Sequence, residues 1–285
     1  MGGASSGFDQ LQEPFDSRQF QQALSQWLAP LRMDCTKPLL LGWYNHTRAV
    51  TADGTQKLEG PDDAVAFAIC SLPRYLDTVV DYYARKRPAK DLVDAATNEI
   101  LEQLRAVIPA SLDAQIINTD VGPPYVHVQT VGAVCGEDQH IEAKDVQSDG
   151  RKEWQEDLED RLEETRDPKM WGTESEMRRK IFGVNIHPVW GGWYAYRGLI
   201  VLRNGKQASL QKPEPLDFLK DEDKMRILTE YNQRHQMCLW RDLPDHAPEN
   251  RYSPEEFFFF TETSPDKRRR FLDLKVSHLP AAAPA

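Results

Sequence analysis

Apolar side chains fall at helical spacing in two segments near the start of the chain. Phe20, Leu24, Trp27, Leu28 and Leu31 lie along 19–31, and Leu92, Ala96, Ile100, Leu104 and Val107 repeat the pattern. That period gathers them on one helix face, so both segments are expected to pack on a sheet. Runs rich in apolar and β-branched residues, at 38–44 (PLLLGWY), 64–70 (AVAFAIC) and 125–134 (YVHVQTVGAV), predict strands whose turns are marked by Gly and Pro. The most apolar part of the chain follows residue 180: IFGVNIHP (181–188), Gly191-Gly192, then WYAYRGLIVL (193–202). This predicts strand, turn, strand. A helix is expected around Met225, Leu228 and Tyr231. Two more should open at Ser253-Pro254 and Ser264-Pro265, where a capping residue precedes a proline suited to the first helical turn.

Strands and helices alternate without a regular βαβ rhythm, which predicts an α+β layered fold. One main domain over 18–275 is expected, with a flexible amino-terminal stretch before it and a disordered tail at 276–285. Residues 149–180 are dense in charge and poor in apolar side chains. They predict a solvated helix or a flexible insertion.

Composition narrows the function. With 40% hydrophobic and 28% charged residues in 285, the chain has ordinary globular usage and material for a sizeable core. No apolar run approaches the roughly 18 residues of a membrane span. The start MGGASSGFDQLQEPFDS has neither the basic opening nor the apolar stretch of a secretory signal, so an intracellular chain with no membrane partner is expected. A formal net charge of −10 argues against a nucleic-acid partner, since a polyanion needs a basic surface. Cys35, Cys70, Cys135 and Cys238 form no CxxC pair and read as free thiols. The seven histidines show no HxxxH or HExxH spacing, so no protein-held metal is expected. Walker A, GxGxxG and GxSxG sequences are also missing.

The informative oddity is Arg197 within WYAYRGLIVL. A guanidinium among apolar neighbours on a strand is costly unless an anion pairs with it, either a ligand or a buried carboxylate of the chain. Period-two alternation would put Trp193, Ala195, Arg197 and Leu199 on one face and Tyr194, Tyr196 and Gly198 on the other. Arg241 (in LWRD) and Arg268 (in the first turn after Ser264) are further candidate anion partners, beside the alternative of solvated basic surface. Cys238, close to Arg241, is either a thiol favoured as thiolate or a small buried side chain.

GVNIHPVWGGWYAYRGLIVL (183–202), CLWRD (238–242), NRYSPEE (250–256) and TSPDKRRRFL (263–272) together resemble the cobalamin C type processing proteins, the cyanocobalamin decyanases and alkylcobalamin dealkylases of animal cytosol. GWYN (42–45), GPDDAVAFAICSLP (60–73) and QTVGAV (129–134) fall in the same order. The resemblance covers roughly 18–275 apart from the charged insertion. It implies a nitroreductase-like sheet with packed helices and a cytoplasmic protein. Cobalamin would be held base-off, with glutathione as co-substrate and FMN or FAD as a candidate reductant. A downstream cobalamin trafficking protein, or the methionine synthase branch, would receive the product, and a homodimer is possible.

By position, the resemblance implies that Asp120, Val126, His127, Val128, Gln129, His140, Ile141, Glu142, Asn185, Trp193, Tyr196 and Tyr252 surround cobalamin. Arg197, Arg241 and Arg268 would hold glutathione. The cobalt and the glutathione thiolate would carry the chemistry, with no catalytic side chain. The chain departs from the family at Cys238, where a tryptophan would cap the upper cobalt face, and at Ala133, where a histidine would stand. The first departure implies a more open upper face and readier oxidative turnover of thiols. Two other readings stay open, a cobalamin chaperone with little turnover and a flavin-dependent reductase.

Overall fold

The computed structural model describes residues 7–10, 15–53, 56–88, 92–121, 123–171, 174–245 and 247–278. In chain order the helices are α1 (Ser17–Leu28), α2 (Leu41–Asn45), α3 (Arg48–Asp53), α4 (Tyr75–Lys86), α5 (Leu92–Val107), α6 (Val128–Val134), α7 (Arg151–Thr165), α8 (Pro168–Trp171), α9 (Ser175–Arg179), α10 (Asp221–Gln233), α11 (Pro254–Thr261) and α12 (Pro265–Ser277). The strands are β1 (Met33–Cys35), β2 (Leu39–Leu40), β3 (Ala64–Ser71), β4 (Ala114–Asn118), β5 (Gln139–Ile141), β6 (Val184–Ile186) and β7 (Ala195–Lys206). A five-stranded antiparallel sheet runs β1-β3-β7-β4 with β2 also on β3, and β5 and β6 form a second, two-stranded antiparallel sheet.

Residue size decides how the main sheet is covered. Along β3, Val65, Phe67 and Ile69 face one core and Ala64, Ala66 and Ala68 face the other. The bulky face packs under α1, α4, α5, α11 and α12, where Phe20 of α1 stacks on Phe67 at 5.2 Å between ring centres. Phe20, Leu24 and Leu28 of α1 are completely buried, each contributing about 2 kcal/mol of transfer free energy. The alanine face lets α2, α3 and α6 come close to the sheet, with Tyr44, Val50 and Val131 buried there. Both faces are covered, so β3 is buried at every position and reads as a continuous apolar run.

A third core, of Ile141, Val184, Ile186, Leu219, Ile227, Leu228 and Trp240, joins the small sheet to α10. The charged insertion forms α7, α8 and α9, of which α7 packs against α10 and α9 against α7. Leu158 and Leu162 of α7 are fully buried, and Trp154 Nε1 donates to Thr229 Oγ1 at 3.1 Å. Of the two expectations, a solvated helix or a flexible insertion, the helix forms, but it is docked on one side, because two leucines and a tryptophan suffice to bury one side of an otherwise charged helix.

Several strand expectations change. In 38–44 only Leu39–Leu40 pair with β3, and α2 begins at Leu41. The 125–134 segment is not a strand, since α6 occupies Val128–Val134. The strands on either side of Gly191-Gly192 do not pair with each other. β6 pairs with β5 and β7 with β3 and β4, leaving only the isolated bridge His187↔Gly191 at the turn, among the described residues. The expected helices at 19–31, 92–107, 225–231, 254 onward and 265 onward form, with the first ending as a short tight turn at Ala29–Leu31. Of the expected loose tail, α12 extends to Ser277, and residues 279–285 lie outside the described residues.

Candidate functional site

Helix α6 owes its existence to its two ends. The Thr130 backbone N–H donates to His127 Nδ1 at 3.3 Å, and the Thr130 hydroxyl lies 2.8 Å from the same atom. An amide can only donate, so Nδ1 is the bare nitrogen and neutral His127 carries its proton on Nε2. Burial lowers the His127 pKa and favours that neutral ring. At the other end, a Cβ on Gly132 would stand 2.0 Å from Asp138 Oδ2 and 2.1 Å from the Tyr196 hydroxyl. Only glycine permits that approach.

Asp138, 1% exposed, anchors the floor. Its Oδ2 accepts from the Tyr196 hydroxyl and, at 3.2 Å, from Asn185 Nδ2. Its Oδ1 has no partner among the described residues. Burial pushes its pKa up. Asn185 Nδ2 also donates to the Gln129 carbonyl at 2.8 Å. With both amide protons used, Asn185 Oδ1 is an acceptor, and His140 Nδ1 at 2.7 Å is the donor. Neutral His140 therefore leaves Nε2 bare, the opposite of His127. One ring offers a donor and the other an acceptor.

Both histidines line a cavity of about 630 Å³, with Gln129, Ala133, Glu142, Lys144, Lys180, Ile181, Phe182 and Gly183, and Arg48 and Ala52 of α3. A smaller cavity of about 190 Å³ shares Gln129 and is lined by Asn185, Tyr196, Tyr231, His235, Trp240 and Arg241. The paired glycines of the sequence explain how the smaller one closes. Gly191 has a positive φ of 55°, a conformation glycine adopts at little cost. A Cβ on Gly192 would meet the Trp240 ring at 2.5 Å.

Arg241 donates to the Gly192 carbonyl and lies over Trp240, Trp193 and Tyr252 at 4.6, 5.6 and 5.7 Å. Its buried Nε has no partner among the described residues. Trp193 meets Tyr252 edge-on at 5.3 Å and donates to Asp242 Oδ1 at 2.8 Å. Burial raises the Tyr252 pKa, and Arg241 and then Arg197 act in the opposite sense, so both cations lie close to this ring. Cys238, 5% exposed with φ 56°, sits between two short turns just before Trp240 and Arg241.

Arg197 is where the strand face departs from simple alternation. Ile69 of β3 pairs with Gly198, but Cys70 pairs with Tyr196, so Arg197 is the extra residue of a bulge. Tyr196 consequently packs with the inner core, while Arg197 lies over Tyr75 at 5.7 Å on the opposite face. Trp193, expected on the strand beside Arg197, precedes β7 altogether. Arg197 donates to Ser71 Oγ at 3.0 Å and pairs with Asp120 at 3.1 Å. Its partner within the chain is thus a carboxylate, as one expectation had it, but an exposed one rather than a buried one.

The structure therefore gathers most but not all of the expected set. His127, Gln129, His140 and Glu142 line the larger cavity, and Asn185 and Tyr196 the smaller. Trp193, Tyr252, Arg241 and Cys238 cluster beside them. Val126 is half-buried against the inner core, and Val128 is half-buried in the first turn of α6. Ile141 is completely buried in the third core, where it holds β5 rather than facing the cavity. Arg268 is tied to the Glu262 carbonyl at 2.5 Å and lies 5.9 Å from Phe259. Its link to the Tyr252 cluster runs through the Phe259–Phe260 and Tyr252–Phe260 ring pairs. Sequence reasoning missed Asp138, Trp240, Arg48, Lys144 and Lys180. The GEDQHI stretch, an acidic pair set between two apolar runs, is the signal that could have found Asp138.

These features define a class: an α+β protein with a ligand cleft between the inner helical layer and a small second sheet, beside an aromatic-walled arginine pocket. A profile of the MMACHC family, "Methylmalonic aciduria and homocystinuria type C family", matches residues 34–272, and the chain belongs to that family. It is 29% identical over 241 residues to a Gallus gallus protein named cyanocobalamin reductase / alkylcobalamin dealkylase, covering 82% of this chain and 88% of that one. Proteins of the same name from Bos taurus and Homo sapiens are 26% and 25% identical over 263 residues, covering 90% of this chain and 82% of theirs. Among solved structures, the fold matches that of a C. elegans B12-trafficking protein CblC, described as a human MMACHC homologue. The TM-score is 0.68 at 20% identity, covering 92% of this chain and 97% of that one.

Proposed function

We propose that this chain is a cobalamin-processing enzyme. It binds cobalamin with the lower base detached and removes the upper ligand, by alkyl transfer to glutathione or by reductive loss of cyanide. The observation that carries this reading is the pair of unlike cavities meeting at Gln129. The larger, with an apolar wall and two histidines of opposite hydrogen-bonding sense, suits an uncharged planar base and its linker. The smaller ends at Arg241, whose guanidinium lies against Trp193 and Tyr252, and suits the co-substrate.

Substrate corrinoid supplies the reactive cobalt. In dealkylation the glutathione thiolate attacks the alkyl carbon, a C–S bond forms, and the Co–C electron pair stays on cobalt, giving cob(I)alamin. With cyanocobalamin one electron from a thiol or from reduced FMN or FAD gives cob(II)alamin as cyanide leaves. The protein's part is positioning. Arg241, unsatisfied at Nε, and Arg197, by exchanging Asp120 for a ligand carboxylate, place the tripeptide, and charge-assisted pairs favour this. Arg268 would complete that site only through a shift of the Phe259–Phe260 pair. The base-off mode, the nitroreductase-like character of the sheet, a cytosolic location and a possible homodimer belong to the same reading. Cys238 in place of a bulkier cap leaves the upper face open to thiols and oxygen, so Cys238→Trp should lower aerobic glutathione consumption.

The visible spectrum of methylcobalamin with purified protein tests the whole. A base-off shift on mixing, then the cob(I)alamin spectrum on anaerobic addition of glutathione, is the expected result. An unchanged base-on spectrum would overturn the assignment. A second reading, delivery of cobalamin to a downstream protein with little turnover, is favoured by the trafficking role in the name of the structural relative. A base-off shift without dealkylation would select it.

A further inference from the structure

Three cations from three separate elements line the larger cavity: Arg48 at the start of α3, Lys144 in the turn after β5, and Lys180 after α9. Glu142 is the single carboxylate lining it among the described residues, in a chain with 45 acidic and 35 basic side chains. Lys144 forms an ion pair with Glu142. Lys180 lies 5.1 Å from the Phe182 ring centre, at the edge of the apolar wall. Lys144, and more weakly His140 and Lys180, hold the Glu142 carboxyl below its usual range, and Arg48 acts electrostatically on Lys144. The cations thus converge on one locality. One carboxylate cannot neutralise three of them, and among the described residues neither Arg48 nor Lys180 has an ion-pair partner. Gly183 makes the convergence possible, because a Cβ there would lie 2.9 Å from both Glu142 Cγ and His140 Cε1.

An apolar wall of Ala52, Ala133, Ile181 and Phe182 below a cationic rim is complementary to a planar heteroaromatic base that carries a phosphate. We propose that Arg48, Lys180 and Lys144 form a phosphate clamp at this rim. The ligand class is a phosphate ester attached to a flat base. It has two available sources, the phosphodiester of the substrate's nucleotide tail and the phosphate of flavin mononucleotide. The inference rests on the proposed function for the first source only. Arg48 and Lys180 take the phosphate oxygens, and Lys144 divides its charge between the phosphate and Glu142.

The test compares two ligand pairs, one differing only in the phosphate and one in the whole nucleotide that carries it. Binding of cobalamin and of cobinamide, the same corrinoid without its nucleotide, is followed by absorbance, and binding of FMN and riboflavin by fluorescence. Parent protein is set beside the Arg48→Gln/Lys180→Gln double variant and Glu142→Gln. The expected result is about a tenfold loss of cobalamin affinity in the double variant, from two charge-assisted contacts, with cobinamide unchanged. Glu142→Gln frees Lys144 and tightens cobalamin binding severalfold, a change of opposite sign that a folding defect does not produce. A selective loss for FMN against riboflavin, with corrinoids unaffected, supports the clamp and assigns it to the reductant. Equal losses within each ligand pair, or no change in any, overturns it. Failure of the parent protein to bind either corrinoid overturns the proposed function instead, and the flavin pair then decides the clamp alone.

Discussion

Arg197 and Asp138 show how single side chains are set by their surroundings. Arg197 is 12% exposed at its side chain and pairs with the 38% exposed Asp120, so a ligand carboxylate must compete with a resident one. Arg197→Gln should weaken glutathione use by tenfold or more, the scale of a lost charge-assisted pair, while cobalamin affinity changes little. Asp120→Asn should lower the KM for glutathione. Steady-state dealkylation checks both, and equal losses of glutathione use and cobalamin affinity in Arg197→Gln would reject the role. For Asp138, burial raises the folded pKa above the ordinary value of 3.8. Its contribution to stability is therefore present at acid pH and lost as pH rises through the folded value. Asp138→Asn removes that loss, so the difference in urea midpoint between variant and parent should shift in favour of the variant from about pH 4 to pH 7. Burial likewise raises the pKa of the Cys35, Cys70 and Cys135 thiols. Cys35 is pushed up to about 12, mainly by desolvation, and is inert at neutral pH.

At the scale of elements, α6 is decisive, because it carries Gln129 and Ala133 and presses on Asp138. The segment that contains it, YVHVQTVGAV (125–134), has the β-branched composition of a strand. A strand would need a partner edge, whereas here His127 supplies a cap and Gly132 permits contact with Asp138 and Tyr196. Gly132→Ala should destabilise the protein by about 3 kcal/mol or more, the cost of forced overpacking against a buried polar network. It should abolish base-off binding at concentrations where the parent is saturated. Chemical denaturation and the methylcobalamin spectrum read the two effects, and an unchanged midpoint would show that α6 does not sit on Asp138 as described. The same competition explains 38–44. Leu39 and Leu40 take the two ladder positions on β3, and Leu41 then turns into a helix that buries Tyr44. Apolar periodicity alone does not separate a short buried helix from a short buried strand.

Across the whole molecule, the charged segment 149–180 links stability to the cavity. Leu158 and Leu162 are buried. The Arg166 guanidinium donates to the carbonyls of Arg178 and Lys180 at 2.8 and 2.6 Å, which fixes the approach to Lys180 and Phe182. Leu162→Ala should cost about 2–4 kcal/mol, typical of a leucine truncated in a packed site. Deleting 149–180 should weaken cobalamin binding as well as stability, since it removes Lys180 from the lining of the larger cavity and the Arg166 contact that holds it. Retained affinity in the deletion would show that the insertion is surface alone.

The sequence by itself determined the long helices, the central strand β3 and the α+β class, because periodicity, capping serines and β-branched runs act over a few residues and do not depend on distant partners. The motif HPVWGGWYAYRG (187–198) was legible as a site for the same reason, its glycines and arginine being locally improbable. What only the tertiary structure decided was which strand each half of that motif joins, the bulge that turns Arg197 away from Tyr196, the pairing of Arg197 with Asp120, and the burial of Asp138. Each depends on groups separated by more than forty residues, such as Asp138 and Tyr196 at a separation of 58 or Arg197 and Asp120 at 77. Hydrogen-bond satisfaction and close packing are pairwise constraints in space, and no pattern along the chain encodes which distant partner meets them.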